Sequence, residues 1–307
     1  MDRNSVDWTG SMTAIVTPFH ADGRIDETAF RRLVEWMIGP ARVTGIVVGG
    51  CTGEFWAMTI EERKHLFKLC IEAVAGRVPV IAGTGAITLS DTVDMTRHAA
   101  KVGCAGAMVM PPYFVKLGAD EIVAHFQAVS DAVPLPLMAY NIPANNVNAL
   151  TPAIADRLAD VPNVVALKES SFDYDTFSES LKRVRDRLLV FGPTFKFGAG
   201  GMALGAVGSI GTMHHICGSA PTELDEAAIR LDFARTGELQ DRAARVWEVV
   251  RMNGGNLYAV LKAAMNVIGL PGGFPRSPLQ PVTGKHLADL EQGLRRLGLD
   301  RIARDAA

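Results

Sequence analysis

Short, almost unbroken apolar runs alternate with amphipathic stretches along most of the chain. The runs cover residues 12–19 (MTAIVTPF), 45–50 (GIVVGG), 79–85 (PVIAGTG), 106–112 (GAMVMPP), 135–143 (LPLMAYNIP), 164–170 (VVALKES), 188–193 (LLVFGP) and 207–213 (VGSIGTM). Each is too short for a helix and lacks the polar alternation of a half-exposed strand, so each predicts a strand buried on both faces. Between the runs the period becomes helical. Asp26 predicts an N-cap for a helix carrying Phe30, Leu33, Val34 and Met37 on one face. Leu66, Leu69, Cys70, Ala73 and Val74 mark the next helix. Further helices are predicted over residues 89–102 (with Ser90 near the start), 119–132, 152–158, 173–185, 198–204 and 221–234.

Eight strand–helix units in succession predict an α/β fold, a closed (β/α)8 TIM barrel over residues 10–235. Beyond it, Leu239, Ala243, Val246 and Val250, then Leu257, Val260, Leu261 and Ala264, keep a helical period. Residues 236–300 are therefore expected to form a C-terminal helical appendage packed on the barrel. A Gly/Pro-rich connector runs over residues 269–281, and the tail after Gly298 reads as frayed.

Charge and composition narrow the function. The chain has 307 residues, and 31 basic against 33 acidic side chains give a net charge of −2. With a pI near 6.4 there is no electrostatic footprint for nucleic acid. No apolar run approaches the roughly 18–20 residues of a membrane span. The first ten residues are polar and do not resemble a secretory leader. Cys51, Cys70, Cys104 and Cys217 are widely spaced and form no C-x-x-C pair, which predicts neither a disulfide framework nor a zinc knuckle and suits a reducing cytoplasm. His214-His215 has no partner at metal-ligand spacing, Gly198-Ala199-Gly200-Gly201 lacks the phosphate-loop lysine, and Ser170-Ser171 lacks a nucleophile-elbow context, so no metal is expected.

Barrel enzymes carry their chemistry at the carboxyl ends of the strands. Lys168 ends the sixth run after Val164, Val165, Ala166 and Leu167. An ammonium emerging from an apolar strand should have a lowered pKa, and such a lysine can attack a carbonyl to form an imine. It can equally be a rim lysine paired with a carboxylate. Tyr140 lies one unit earlier, where its hydroxyl could pass a proton to that imine or simply belong to the core. The turn Gly49-Gly50-Cys51-Thr52-Gly53-Glu54 reads either as an anion-binding nest or as a plain tight turn.

Together these residues resemble the dihydrodipicolinate synthase / N-acetylneuraminate lyase family of Schiff-base aldolases. The family's turn after the second strand reads here Gly50-Cys51-Thr52-Gly53-Glu54, its Y-N-x-P motif reads Tyr140-Asn141-Ile142-Pro143, and its lysine lies in Leu167-Lys168-Glu169. The similarity runs from about Gly10 to Leu299. It implies that Lys168 forms an imine with pyruvate or another 2-oxo acid, that Tyr140 moves protons, and that Gly50, Cys51 and Thr52 hold the carboxylate. Gly192 and Ile210 fall where family members line the pocket. The resemblance implies no metal or organic cofactor, and a homotetramer built from dimers.

Three positions depart from the synthase pattern. The hydroxyl residue before Thr52 is Cys51, which puts the usual Tyr–Thr–Tyr relay in doubt. The second relay tyrosine is replaced by Phe114, with Tyr113 expected to point to the other side. The arginine that binds the distal carboxylate of the aldehyde substrate is replaced by Asn145. Pro143-Ala144-Asn145 and Lys168-x-Ser170 look more like 4-hydroxy-2-oxoglutarate aldolases, and Gly53-Glu54-Phe55 resembles the sugar-acid aldolases and dehydratases. The pocket near Phe114, Val115, Asn145 and Phe172 shows no second cation, so a neutral or apolar second substrate is expected. The readings left open are a lyase in the aldolase direction, a hydro-lyase or deaminase using the same imine, a synthase with an altered pocket, and a non-catalytic barrel that binds 2-oxo acids.

Overall fold

In the computed structural model, which describes residues 1–251 and 255–299, every apolar run contributes one parallel strand. The strands are β1 (Gly10–Ala14), β2 (Gly45–Val48), β3 (Val80–Gly83), β4 (Gly106–Val109), β5 (Leu137–Asn141), β6 (Val164–Glu169), β7 (Leu189–Phe191) and β8 (Gly208–Gly211). They pair in chain order, and β1 pairs with β8 to close the barrel. The closing seam is tight: a Cβ on Gly208 would run into the backbone of Gly10, so only glycine fits there.

The main helices are α1 (Glu27–Ile38), α2 (Ile60–Val74), α3 (Leu89–Val102), α4 (Ala119–Ala132), α5 (Pro152–Leu158) and α6 (Tyr174–Val184). Three short ones follow, α7 (Thr194–Phe197), α8 (Ala199–Ala203) and α9 (His214–Cys217), then α10 (Ala220–Ile229). The C-terminal helices are α11 (Phe233–Arg251), α12 (Leu257–Val267) and α13 (Gly284–Arg296). Asp26 caps α1 as expected, its side chain accepting the Ala29 N–H at 2.9 Å.

Alternating side chains divide the core in two. Leu33, Phe67, Phe126, Leu167 and Phe177 belong to the layer between wall and helices. Met12, Val47, Ile81, Met108, Met138 and Ala166 fill the barrel. Trp8 belongs to the inner cluster and lies against Gly106 at the start of β4, where any Cβ would strike its ring. The amino end of the barrel is thus plugged, and the carboxyl end is left for a cavity.

Several boundaries differ from the sequence expectation. The first run reaches residue 19, but β1 stops at Ala14, and Val16 then donates its N–H to His215 Nε2 at 3.1 Å. The single helix expected over 221–234 is two, because Leu231 turns the chain at φ 57° between α10 and α11. The expected boundary at 235/236 therefore falls inside α11. Helix α7 has no counterpart in the expectation. The tail expected to fray after Gly298 lies, from residue 300, outside the described residues.

The C-terminal helices are clasped to the turn after β2. Glu54, fully buried and left-handed at φ 58°, makes an ion pair with fully buried Lys262 of α12. Glu54 Oε2 also accepts the Arg276 N–H at 2.9 Å, and the Arg276 guanidinium grips Glu62 at 2.8 and 2.9 Å. Lys262 Nζ further donates to the Phe274 carbonyl at 2.8 Å. No helix among the described residues is long and apolar enough to cross a membrane.

Candidate active site

Strands β5 and β6 run in register with Tyr140 opposite Lys168. Both side chains are buried, and Lys168 Nζ lies 4.2 Å from the Tyr140 ring centroid. Alternation explains the placement: Ala166 belongs to the barrel interior and Leu167 to the outer layer, so Lys168 turns inward again. Burial lowers the Lys168 amine to about 8, against a small opposing effect of Cys51. Burial also pushes the Tyr140 phenol well above its ordinary value, with Cys51 adding to the rise and a hydrogen bond from Ser170 opposing it. At neutral pH Tyr140 is therefore a proton donor beside a lysine that is easily deprotonated.

The strand ends are locked by amide and carboxylate hydrogen bonds. Asn141 Nδ2 donates to Glu169 Oε2 at 2.7 Å, and Asn141 Oδ1 accepts the Leu150 N–H at 2.9 Å. Glu169 Oε1 accepts the Ser171 N–H at 2.7 Å. The residue after each reacting group thus ties β5 to β6 and fixes both above the cavity.

That cavity holds about 250 Å³ and is lined by Lys168, Tyr140, Cys51, Thr52, Ser170 and Asn145, with Gly192 and Ile210 on another wall. Thr52 is buried. Inside its turn, the N–H groups of Gly53 and Phe55 bond the Gly50 carbonyl and that of Glu54 bonds the Cys51 carbonyl. The N–H groups of Cys51 and Thr52 stand outside those bonds, as a carboxylate nest requires. Gly50 itself does not line the cavity; it lies under the turn, where a Cβ would sit 3.2 Å from Met108 Cε. At Gly192 a Cβ would run into the Phe177 ring. Gly192→Ala is therefore expected to lose about 1–3 kcal/mol of stability, read as a lowered urea midpoint at unchanged slope.

Neither Phe114 nor Tyr113 lines this cavity. Phe114 is 80% exposed and lies outside this cavity, whereas Tyr113 is half-buried in the inner cluster with its ring 5.9 Å from that of Phe55. Two prolines after β4 reset the strand phase, and Asn148 holds the following loop through the Val115 carbonyl at 2.7 Å and the Leu117 N–H at 2.8 Å. The expected lack of a second cation is also corrected. Arg242 of α11 lines the cavity, and Lys196 donates to the Phe172 carbonyl at 3.0 Å beside it.

Sequence reasoning missed one further group. Tyr258, in the first turn of α12, lines the same cavity and packs in the inner cluster with Cys51 and Tyr140. Its ring rests against Trp56 at 5.0 Å, and its N–H is capped by Asn256 Oδ1 at 3.0 Å. Burial raises the Cys51 thiol, with Lys168 and then Tyr140 and Tyr258, its neighbours in the cluster, opposing the rise. Nothing in the local sequence marks Tyr258, because it arrives from outside the barrel.

The histidine pair is structural. His214 and His215 are buried and held neutral by desolvation, down to about 3 and about 4. His214 Nε2 bonds the Ser11 hydroxyl at 3.1 Å. All four cysteines are free and buried, and no group of metal-ligating side chains gathers among the described residues.

Comparison with known proteins agrees with this geometry. The Dihydrodipicolinate synthetase family profile matches residues 7–297. A 4-hydroxy-tetrahydrodipicolinate synthase of Mesorhizobium japonicum is 34% identical over 94% of this chain and 98% of its own. A protein of Rhizobium meliloti called a DapA-like lyase is 33% identical over 95% of this chain and 96% of its own. Among solved structures, YagE, a prophage protein of this family from E. coli K12 in complex with pyruvate, superposes with a TM-score of 0.90 at 27% identity, covering 96% of this chain and all (100%) of its own. The Acinetobacter baumannii dihydrodipicolinate synthase complexed with pyruvate gives a TM-score of 0.89 at 30% identity, covering 95% and 99%. With its barrel, its paired Tyr140 and Lys168 and its end-to-end match, this chain belongs to the dihydrodipicolinate synthetase family.

Proposed function

We propose that the protein is a Schiff-base lyase acting on pyruvate or a substituted 2-oxo acid, working by carbon–carbon cleavage or condensation. The observation that carries this reading is the buried amine of Lys168 in register with the buried phenol of Tyr140. The free amine attacks the 2-oxo carbon, Tyr140 protonates the departing hydroxyl, and water leaves the imine. The iminium then accepts the electron pair of the breaking bond at C3, giving an enamine. Thr52 and the Cys51 and Thr52 N–H groups hold the carboxylate, and no metal or organic cofactor is needed. Two relatives crystallised with pyruvate support this choice of ligand.

The remainder of the substrate extends toward Asn145, Ser170, Phe172 and Arg242. Asn145 offers an amide where an arginine would grip a carboxylate in two places, which favours an aldol of the 4-hydroxy-2-oxoglutarate type over dihydrodipicolinate synthesis. The names of relatives favour the synthase instead. Dehydratase or deaminase chemistry would pass through the same imine. Assaying pyruvate with aldehydes that carry or lack a distal carboxylate, beside release of water or ammonia from hydroxylated and aminated 2-oxo acids, separates these readings. By the family resemblance we further propose a homotetramer in the cytoplasm, which sedimentation and fractionation test.

Tyr140→Phe keeps the ring but loses the transferable proton. Turnover of the substrate so identified is expected to fall about 10²-fold or more, with the pyruvate adduct on Lys168 still forming. Unchanged turnover would remove Tyr140 from the mechanism.

A further inference from the structure

Tyr140 lies 4% exposed at the base of the cavity, so a proton it gives up must be replaced from somewhere. The family's usual donor position is Phe114, which carries no proton and points outward. Two other phenols pack in the inner cluster, Tyr113 and Tyr258, and of these only Tyr258, from the C-terminal appendage, lines the cavity together with Cys51 and Tyr140. Tyr258 is partly buried and lines the cavity, so solvent reaches part of its side chain. Its ring rests against Trp56 at 5.0 Å, and its backbone is held at the start of α12 by the Asn256 cap on its N–H at 3.0 Å.

We propose that Tyr258 is a positioning residue that completes a proton relay to Tyr140 through the Cys51 thiol, within a single chain. The proposal rests on the imine reading above. When the carbinolamine collapses, the Tyr140 O–H gives its proton to the departing hydroxyl, which leaves as water. The phenolate takes the Cys51 S–H proton, the thiolate takes the Tyr258 O–H proton, and Tyr258 regains one from solvent. The net change is one proton carried inward; the S–H and O–H bonds broken along the path are re-formed, and the relay alters no bond to carbon.

The same relay decides the fate of a proton taken from C3. With the relay intact, it runs outward to re-form the Tyr140 phenolate; with it broken, the phenolate left by water release persists. In both cases the phenolate removes that proton as the enamine forms. If the relay works, the proton is exchanged with solvent before C3 is reprotonated. If it is broken, the same proton returns. Pyruvate alone tests this, without knowledge of the second substrate. In heavy water, methyl deuterium uptake reports C3 exchange, and loss of carbonyl 18O reports imine turnover. The ratio of the two is insensitive to the amount of folded protein and to general loosening of the site.

Tyr258→Phe is expected to lower that ratio about tenfold or more. Cys51→Ala should lower it equally, and the double variant should fall no further than either single one, since both interrupt one path. Cys51→Thr, which restores a hydroxyl, should bring the ratio back. An unchanged ratio in Tyr258→Phe, or single effects that multiply in the double variant, would overturn the relay. A native chain that takes up deuterium but loses no carbonyl 18O and traps no borohydride adduct would overturn the imine reading, and the relay with it.

Discussion

Lys168→Ala is expected to gain no mass from pyruvate and borohydride, whereas the native chain gains one reduced pyruvyl group on the peptide containing residue 168. Only a neutral amine attacks a carbonyl, and burial brings the Lys168 amine down to about 8 from an ordinary 10.5. Initial trapping should therefore climb about tenfold per pH unit below 8 and level off above it. A solvent-exposed lysine would keep climbing past pH 10. The same shift acts on stability. Between about 8 and 10.5 the unfolded chain holds a proton that the folded chain has lost, so this group makes stability rise with pH across that window. Lys168→Met should lose that part of the slope. An adduct on another lysine, or on the Lys168→Ala chain, would sink the assignment.

Lys262→Met is expected to destabilise the fold by about 3–5 kcal/mol, because it leaves the Glu54 carboxylate buried without its cation. Both partners are fully buried, and Lys262 Nζ also lies 4.4 Å from the Phe19 ring centroid. Most of this loss is the cost of an unpaired charge, so Glu54→Gln combined with Lys262→Met should recover a substantial part of it. Urea denaturation of the two single variants and the double variant measures the coupling. Additive losses would show that the two side chains act separately. Because Glu54 shares its turn with Thr52, the single variant should also weaken pyruvate binding before the whole fold gives way.

The barrel was legible because its strands are buried on both faces and so appear as unbroken apolar runs. Lys168 stands out against such a run, and Tyr140 is found by its strand-end position and motif. The outward placement of Phe114 and the inward packing of Tyr113 were not legible. Period-two alternation holds only while the backbone stays in the sheet, and β4 ends at Val109, before Pro111 and Pro112. Strand ends were overestimated for a related reason: Val16 and Phe19 are as apolar as the wall residues but pack outside it. Arg242 and Tyr258 were invisible because their positions depend on how α11 and α12 dock. Helical periodicity reports which face is buried and not what that face meets.

The clasp between Glu54, Lys262 and Arg276 also constrains inheritance. A crossover that joins the first half of this barrel to the last third of a relative separates the acid at position 54 from Lys262 and the acid at position 62 from Arg276. Chimaeras between family members should therefore fold when both parents carry the acids and their partners, and fail when only one does. Under the same rule the residues around 51 and 258 travel together, so a change of chemistry in the turn would be inherited along with the helix that faces it.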